Sequence, residues 1–170
     1  SFDLDGNGTE DIFRTSNTTF GADGSRIVIT TEGYSTGRLG LELLKTTSAD
    51  GLTVETLFDT DGDGDIDGER QQTTTYETDG RVRIEDISRY ADEELRAKSV
   101  VTISADERTT SEIHDFNGDA INDYWVDRVE LTNGDIQITR NGGQGNYSVQ
   151  TVSADELKIQ KAFGQILSTW

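Results

Sequence analysis

Asp59-Thr60-Asp61-Gly62-Asp63-Gly64-Asp65-Ile66-Asp67 is an acidic stretch with a counterpart on either side. Asp3-Leu4-Asp5-Gly6-Asn7-Gly8-Thr9-Glu10-Asp11 lies 56 residues before it, and Asp115-Phe116-Asn117-Gly118-Asp119-Ala120-Ile121-Asn122-Asp123 lies 56 after it. The same offset relates Phe20 to Tyr76, Asp23-Gly24 to Asp79-Gly80, Tyr34 to Tyr90, Leu39 to Leu95, and Ser48-Ala49-Asp50 to Ser104-Ala105-Asp106. Agreement outside the acidic loops argues against a chance match of low-complexity tracts, so the sequence reads as a tandem repeat of about 56 residues. Ser153-Ala154-Asp155 follows its counterpart by only 49, which marks a shortened third copy. The expected organisation is repeat 1 at 1–56, repeat 2 at 57–112, a shortened repeat 3 at 113–156 and a capping segment at 157–170.

Between the acidic loops, runs rich in Thr, Val, Ile and aromatics are punctuated by Asp-Gly or Asn-Gly, a strong hairpin signal. In the second copy this predicts strands near Arg70–Tyr76, Arg81–Tyr90, Leu95–Ile103 and Arg108–His114. The expected fold class is all-β: antiparallel meander repeats of four strands joined by the loops, arranged as an elongated array or as propeller-like blades. Alternation such as Val82-Arg83-Ile84-Glu85 predicts one inward and one solvated face. At the end of the chain Ile159, Ala162, Phe163, Ile166, Leu167 and Trp170 recur at helical spacing behind a capping-box pattern at Ser153–Glu156. The repeat register instead predicts a strand from Leu157, and both readings cap the last copy.

Composition narrows the chemistry. The 170 residues hold 33 Asp and Glu against 15 Lys and Arg, a net charge of −18, which opposes nucleic-acid binding. No Cys is present, so disulfides, thiol nucleophiles and thiolate metal sites are excluded. Apolar runs fall far short of the roughly 18 residues that span a bilayer. With only 32% hydrophobic residues, folding is expected to need help beyond apolar burial. A metal giving that help must take oxygen ligands, and Ca²⁺ fits carboxylates spaced along a short curled segment.

The expected ligands are the residues at loop positions 1, 3, 5 and 9, with position 7 offering its backbone carbonyl. They are Asp3, Asp5, Asn7, Thr9 and Asp11 in the first loop, Asp59, Asp61, Asp63, Asp65 and Asp67 in the second, and Asp115, Asn117, Asp119, Ile121 and Asp123 in the third. Variation of position 7 as Thr, Asp and Ile suits a backbone ligand. Mg²⁺ suits the loops less, because it demands near-octahedral geometry and keeps its own waters. One such loop alone could equally be a solvated turn rich in Asp and Gly. Three in register favour Ca²⁺.

The third loop is similar to the D-x-N-G-D-G-x-x-D loop of FG-GAP and VCBS repeats, and the second also resembles thrombospondin type 3 and dockerin-like calcium loops. The Asp-Gly-punctuated units look like tandem repeats of very large, acidic, calcium-binding proteins secreted by bacteria. The resemblance implies a secreted or cell-surface β-rich module with Ca²⁺ on the three ligand sets. Two departures stand out: Ala120 replaces the usual Gly at position 6, and three copies are fewer than the four to eight blades of a propeller. Gly142-Gly143-Gln144-Gly145 resembles the start of an RTX nonapeptide, but Tyr147 stands where the metal-binding Asp belongs.

The leading functional expectation is a structural or adhesive calcium-binding segment whose partners are neighbouring repeats or further copies. A propeller portion that binds a glycan or surface protein is the alternative. An enzyme is not expected: no acidic pair stands out among 33, and the sole histidine, His114, aligns with Phe58 and Phe2, which marks a packing position. Trp125, Trp170, Tyr34 and Tyr90 are read as packing residues as well. The absence of Pro would let an exported chain fold without prolyl isomerisation.

Overall fold

The computed structural model describes the chain except residues 5, 7, 36, 38, 143–145, 155–158 and 166–170, and omits the side chains of 146 and 159–165. Its strands are β1 (Ile12–Phe20), β2 (Arg26–Tyr34), β3 (Leu39–Thr47), β4 (Thr53–Asp59), β5 (Gly68–Tyr76), β6 (Val82–Tyr90), β7 (Leu95–Ile103), β8 (Thr109–Asp115), β9 (Tyr124–Glu130), β10 (Ile136–Asn141), β11 (Asn146–Val152) and β12 (Ile159–Gln165). The fold is all-β, sheet order is chain order, and no helix occurs among the described residues. Both ends of β5 to β8 lie 56 residues beyond the ends of β1 to β4.

Two compact units share the strands. The first holds residues 1–73 and 87–94, the second 74–86 and 95–170. In the first, β1 to β5 form an antiparallel meander with continuous register at β1–β2, β3–β4 and β4–β5, and one irregularity between Glu32 and Gly33 in β2–β3. In the second, β7 to β12 continue the same way. Thr53↔Thr73 through Phe58↔Gly68 pair across the second acidic loop, and Thr109↔Val129 through His114↔Tyr124 pair across the third. Separate propeller blades would break at these two joints, so the blade alternative is not the arrangement found there.

The chain end corrects the helical reading. Ile159, Ala162 and Phe163 lie in β12, paired with β11 from Val152↔Ile159 to Asn146↔Gln165. Pairing satisfies the second edge of β11, and Gly164 weakens a helix by about 1 kcal/mol relative to Ala. Leu157, Ile166, Leu167 and Trp170 lie outside the described residues, as do Gly143–Gly145 of the nonapeptide-like stretch.

Six hairpin turns, those at Asp23, Asp50, Asp79, Asp92, Asp106 and Asn133, share one chemistry. In each, an Asp or Asn is followed by a residue with positive φ and accepts the N–H two residues on, as Asp23 does from Ser25 (3.0 Å), Asp50 from Leu52 (3.0 Å), Asp79 from Arg81 (3.1 Å) and Asp106 from Arg108 (3.1 Å). These bonds hold the carboxylates below the usual range. In Asp23, Asp50 and Asp106 the largest cause is a serine hydroxyl, from Ser25, Ser48 and Ser104, whereas in Asp79 it is the Arg81 N–H. The Ser-Ala-Asp recurrence follows directly. Ser48 and Ser104 each donate to that Asp at 2.6 Å and accept the N–H of Thr53 or Thr109 at 2.9 Å.

The alternating pattern does not create a buried apolar face. Among the described residues no apolar side chain is buried, and β6 and β7 are half-exposed along nearly their whole length. Among the described residues of each unit no second layer covers either face of the meander, and cross-strand polar pairs occupy it instead. The Thr15 and Thr31 hydroxyls meet at 2.6 Å, the Phe13 ring lies over Gly33, and Arg89 reaches Glu69 at 2.9 Å. Glu85 joins Arg83 at 2.9 Å and Lys98 at 2.5 Å.

Arg83 and then Lys98 hold the Glu85 carboxyl down to about 2, against an ordinary 4.5. A folded value below the unfolded one means that its stabilisation is complete above about 4.5 and is lost as pH falls through 2. Glu85→Gln should therefore cost about 1 kcal/mol at pH 7 in urea unfolding. The difference from wild type should close as pH approaches 2, and a pH-independent difference would contradict the ion-pair account.

Candidate metal centre

Each acidic loop starts where a strand ends, and its first carboxylate gathers the loop backbone. Asp59 closes β4: its Oδ1 accepts the Gly62 N–H at 2.6 Å and its Oδ2 the Gly64 N–H at 2.9 Å. Asp115 closes β8 and accepts from Asn117 (3.2 Å), Gly118 (2.7 Å) and Ala120 (2.9 Å). Asp3 accepts from Gly6 at 2.7 Å and Gly8 at 2.8 Å. Position 1 thus collects the N–H groups of positions 4 and 6 in every loop. Asp59 and Asp115, only 5% and 4% exposed, are more buried than any apolar residue described.

The ninth residue closes the loop from the other side. Its side chain accepts the N–H of position 2: Asp11 from Leu4 at 2.7 Å, Asp67 from Thr60 at 2.7 Å, Asp123 from Phe116 at 2.8 Å. Its own N–H donates to the residue before the loop, Phe2, Phe58 or His114, at 2.7–2.8 Å. The Thr60 hydroxyl also donates to Asp67, and this bond is the main cause of the lowered Asp67 carboxyl. The clasp was not singled out in the sequence, although an Asp at fixed spacing behind the first one was its signal.

Between these clamps the chain advances by short Asx turns. Asp61 accepts from the Asp63 N–H (3.2 Å) and Asp63 from the Asp65 N–H (2.9 Å); Asn117 accepts from Asp119 (3.1 Å) and Asp119 from Ile121 (2.8 Å). Asp5 and Asn7 lie outside the described residues. Thr9 is exposed, and so is Ile121.

Of the expected ligands, the structure brings Asp59, Asp61 and Asp67 together, with one carboxylate oxygen from each within 4.8 Å of the others. Oxygens sharing a Ca²⁺ at about 2.3–2.6 Å lie no more than about 5 Å apart, so this spacing suits one such ion. The two N–H bonds to Asp59 fall on different oxygens, and each oxygen keeps further acceptor capacity. Both Thr60 bonds fall on Asp67 Oδ2. Asp63 and Asp65 are not in the cluster. His114 stacks on Phe116 with ring centres 5.3 Å apart and meets Tyr124 at 5.9 Å, the packing role its alignment suggested.

At position 4 the glycines of the second and third loops answer two demands at once. Gly62 and Gly118 have φ of 73° and 76°, and a Cβ there would overlap the backbone of Leu39 or Leu95. Position 6 needs only the left-handed backbone, and Ala120 adopts it with φ 64°. A Cβ in that conformation costs roughly 1–2 kcal/mol. Ala120→Gly should therefore stabilise the chain by about 1 kcal/mol, and Gly118→Ala should cost more than Gly6→Ala, where nothing lies within 4 Å. Thermal denaturation of the three variants checks both, and a neutral or destabilising Ala120→Gly would contradict the strain assigned to that residue.

No protein family, characterised protein or solved structure matches the chain, so the reading of the site rests on its own residues.

Proposed function

We propose that the chain is a calcium-binding structural segment of a larger secreted or cell-surface protein, built of tandem repeats whose loops are ordered by Ca²⁺. The convergence of Asp59, Asp61 and Asp67 on a backbone already drawn around Asp59 carries this reading. The donor set is all oxygen, as a hard cation requires. The first and third loops repeat the clamp and the clasp, which supports extending the reading to Asp3 and Asp11 and to Asp115, Asp119 and Asp123.

The energetic logic is that of a sheet with no buried apolar side chain among its described residues. Five Asp side chains in the second loop repel one another, and a divalent ion converts that repulsion into attraction. For sites with Kd on the order of 10⁻⁴–10⁻³ M, millimolar Ca²⁺ contributes roughly 0.4–1.4 kcal/mol per loop by mass action. The partners in this reading are neighbouring repeats, which would cover open strand edges.

Thermal melts at fixed ionic strength in Ca²⁺, Mg²⁺ or chelator test the proposal. Ca²⁺ should raise Tm by about 2–4 °C per kcal/mol gained, with a smaller rise in Mg²⁺ and a reduced rise in Asp61→Asn. Identical melting in Ca²⁺ and chelator would overturn it.

A further inference from the structure

β1 pairs with β2 along all nine residues without a bulge, and among the described residues its other edge meets only Phe2, through the bridge Phe2↔Ile12. Natural sheets blunt such edges with charges, prolines or bulges. Here Arg14 is the only charge in Ile12–Phe20, no proline is present, and Arg14–Phe20 are exposed. The strands that correspond to β1 at the 56-residue offset, β5 and β9, are paired on that same edge, by β4 and β8. Phe2↔Ile12 is the counterpart of Phe58↔Gly68 and His114↔Tyr124, the pairs that end those two ladders beside the loops. Phe2 therefore holds one rung of a ladder whose other rungs on β1 are filled by no described residue.

We propose that the open edge of β1 is a docking site for one strand of the β4 and β8 type, supplied by an adjoining repeat and adding antiparallel in the register that Phe2 begins. The inference rests on the repeat reading but not on the metal. The hydrogen-bond direction is fixed. Phe2 and Ile12 exchange N–H bonds to each other's carbonyls at 2.8 and 3.1 Å, so Ile12 points its backbone outward, and in a regular strand so do Arg14, Ser16 and Thr18. Phe13, Thr15 and Asn17 then point theirs to β2. An incoming residue two before Phe2 would face Arg14 as Thr56 faces Arg70.

The test supplies the strand in place. The full chain is prepared with Ser1 replaced by the sequence of Thr53–Leu57, so that the copied strand runs directly into Phe2. A control carries an extension of the same length with prolines at the copies of Val54 and Thr56, the two positions that would face Ser16 and Arg14. Amide hydrogen exchange is followed residue by residue, with sedimentation velocity to record the oligomeric state. The copied strand should slow exchange at Arg14 and Ser16 at least tenfold over both the control and the unextended chain, leave Thr18 unchanged, and keep the protein monomeric. Equal exchange at Arg14 and Ser16 in the two extended chains would overturn the proposal. Protection of those amides in the unextended chain, rising with its concentration, would assign the edge to a second copy and overturn it as well. Neither result depends on Ca²⁺, so failure here leaves the calcium reading to its own melting test.

Discussion

The structure turns on a carboxylate that takes two backbone N–H groups from the loop beginning at it. In a sheet with no buried apolar side chain among its described residues, Asp59 and Asp115 are more protected from solvent than any Leu, Ile or Val. Charge-assisted bonds from backbone N–H groups are among the stronger polar interactions available, roughly twice the neutral kind. They fold the loop around position 1 and deliver the next strand to pair with the last: β4 to β5, β8 to β9. The loop is therefore a joint of the meander.

Closure of turns and loops by carboxylates accounts for part of the acidic content. Carboxylates that close hairpins, such as Asp50 and Asp106, spend their charge on N–H and hydroxyl donors. Those in the acidic loops have additional neighbours of like charge and, in Asp59, Asp61 and Asp67, a spacing suited to one cation. Part of the net charge of −18 is thus structural: it closes turns and, in the second loop, groups three carboxylates at a spacing that one metal ion could share.

Much of the β organisation was legible because punctuation and propensity agree. Leu95–Ile103 is a strand with the expected bounds, set between the turn at Asp92-Glu93 and the one at Ser104-Ala105-Asp106. Burial was not legible: alternation at Val82–Glu85 specifies which side chains share a face, not whether anything covers it. The end of the chain was ambiguous for a related reason. Ile159, Ala162 and Phe163 satisfy a helical period, and only pairing with β11 decides for the strand. At the loops, the positions of the Asp residues were readable but their division of labour was not. The clamp shows only when Asp59 is seen bonded to Gly62 and Gly64, because an Asp that gathers N–H groups carries the same letter as one that does not.

The central claim is that one carboxylate both organises the second loop and anchors its cation. A crystal structure with Ca²⁺ tests it most directly. The account predicts one ion bonded to oxygens of Asp59, Asp61 and Asp67 at about 2.3–2.6 Å, with Asp59 still accepting the Gly62 and Gly64 N–H groups. An ion held elsewhere, or an Asp59 carboxylate turned away from those two amides, would contradict it.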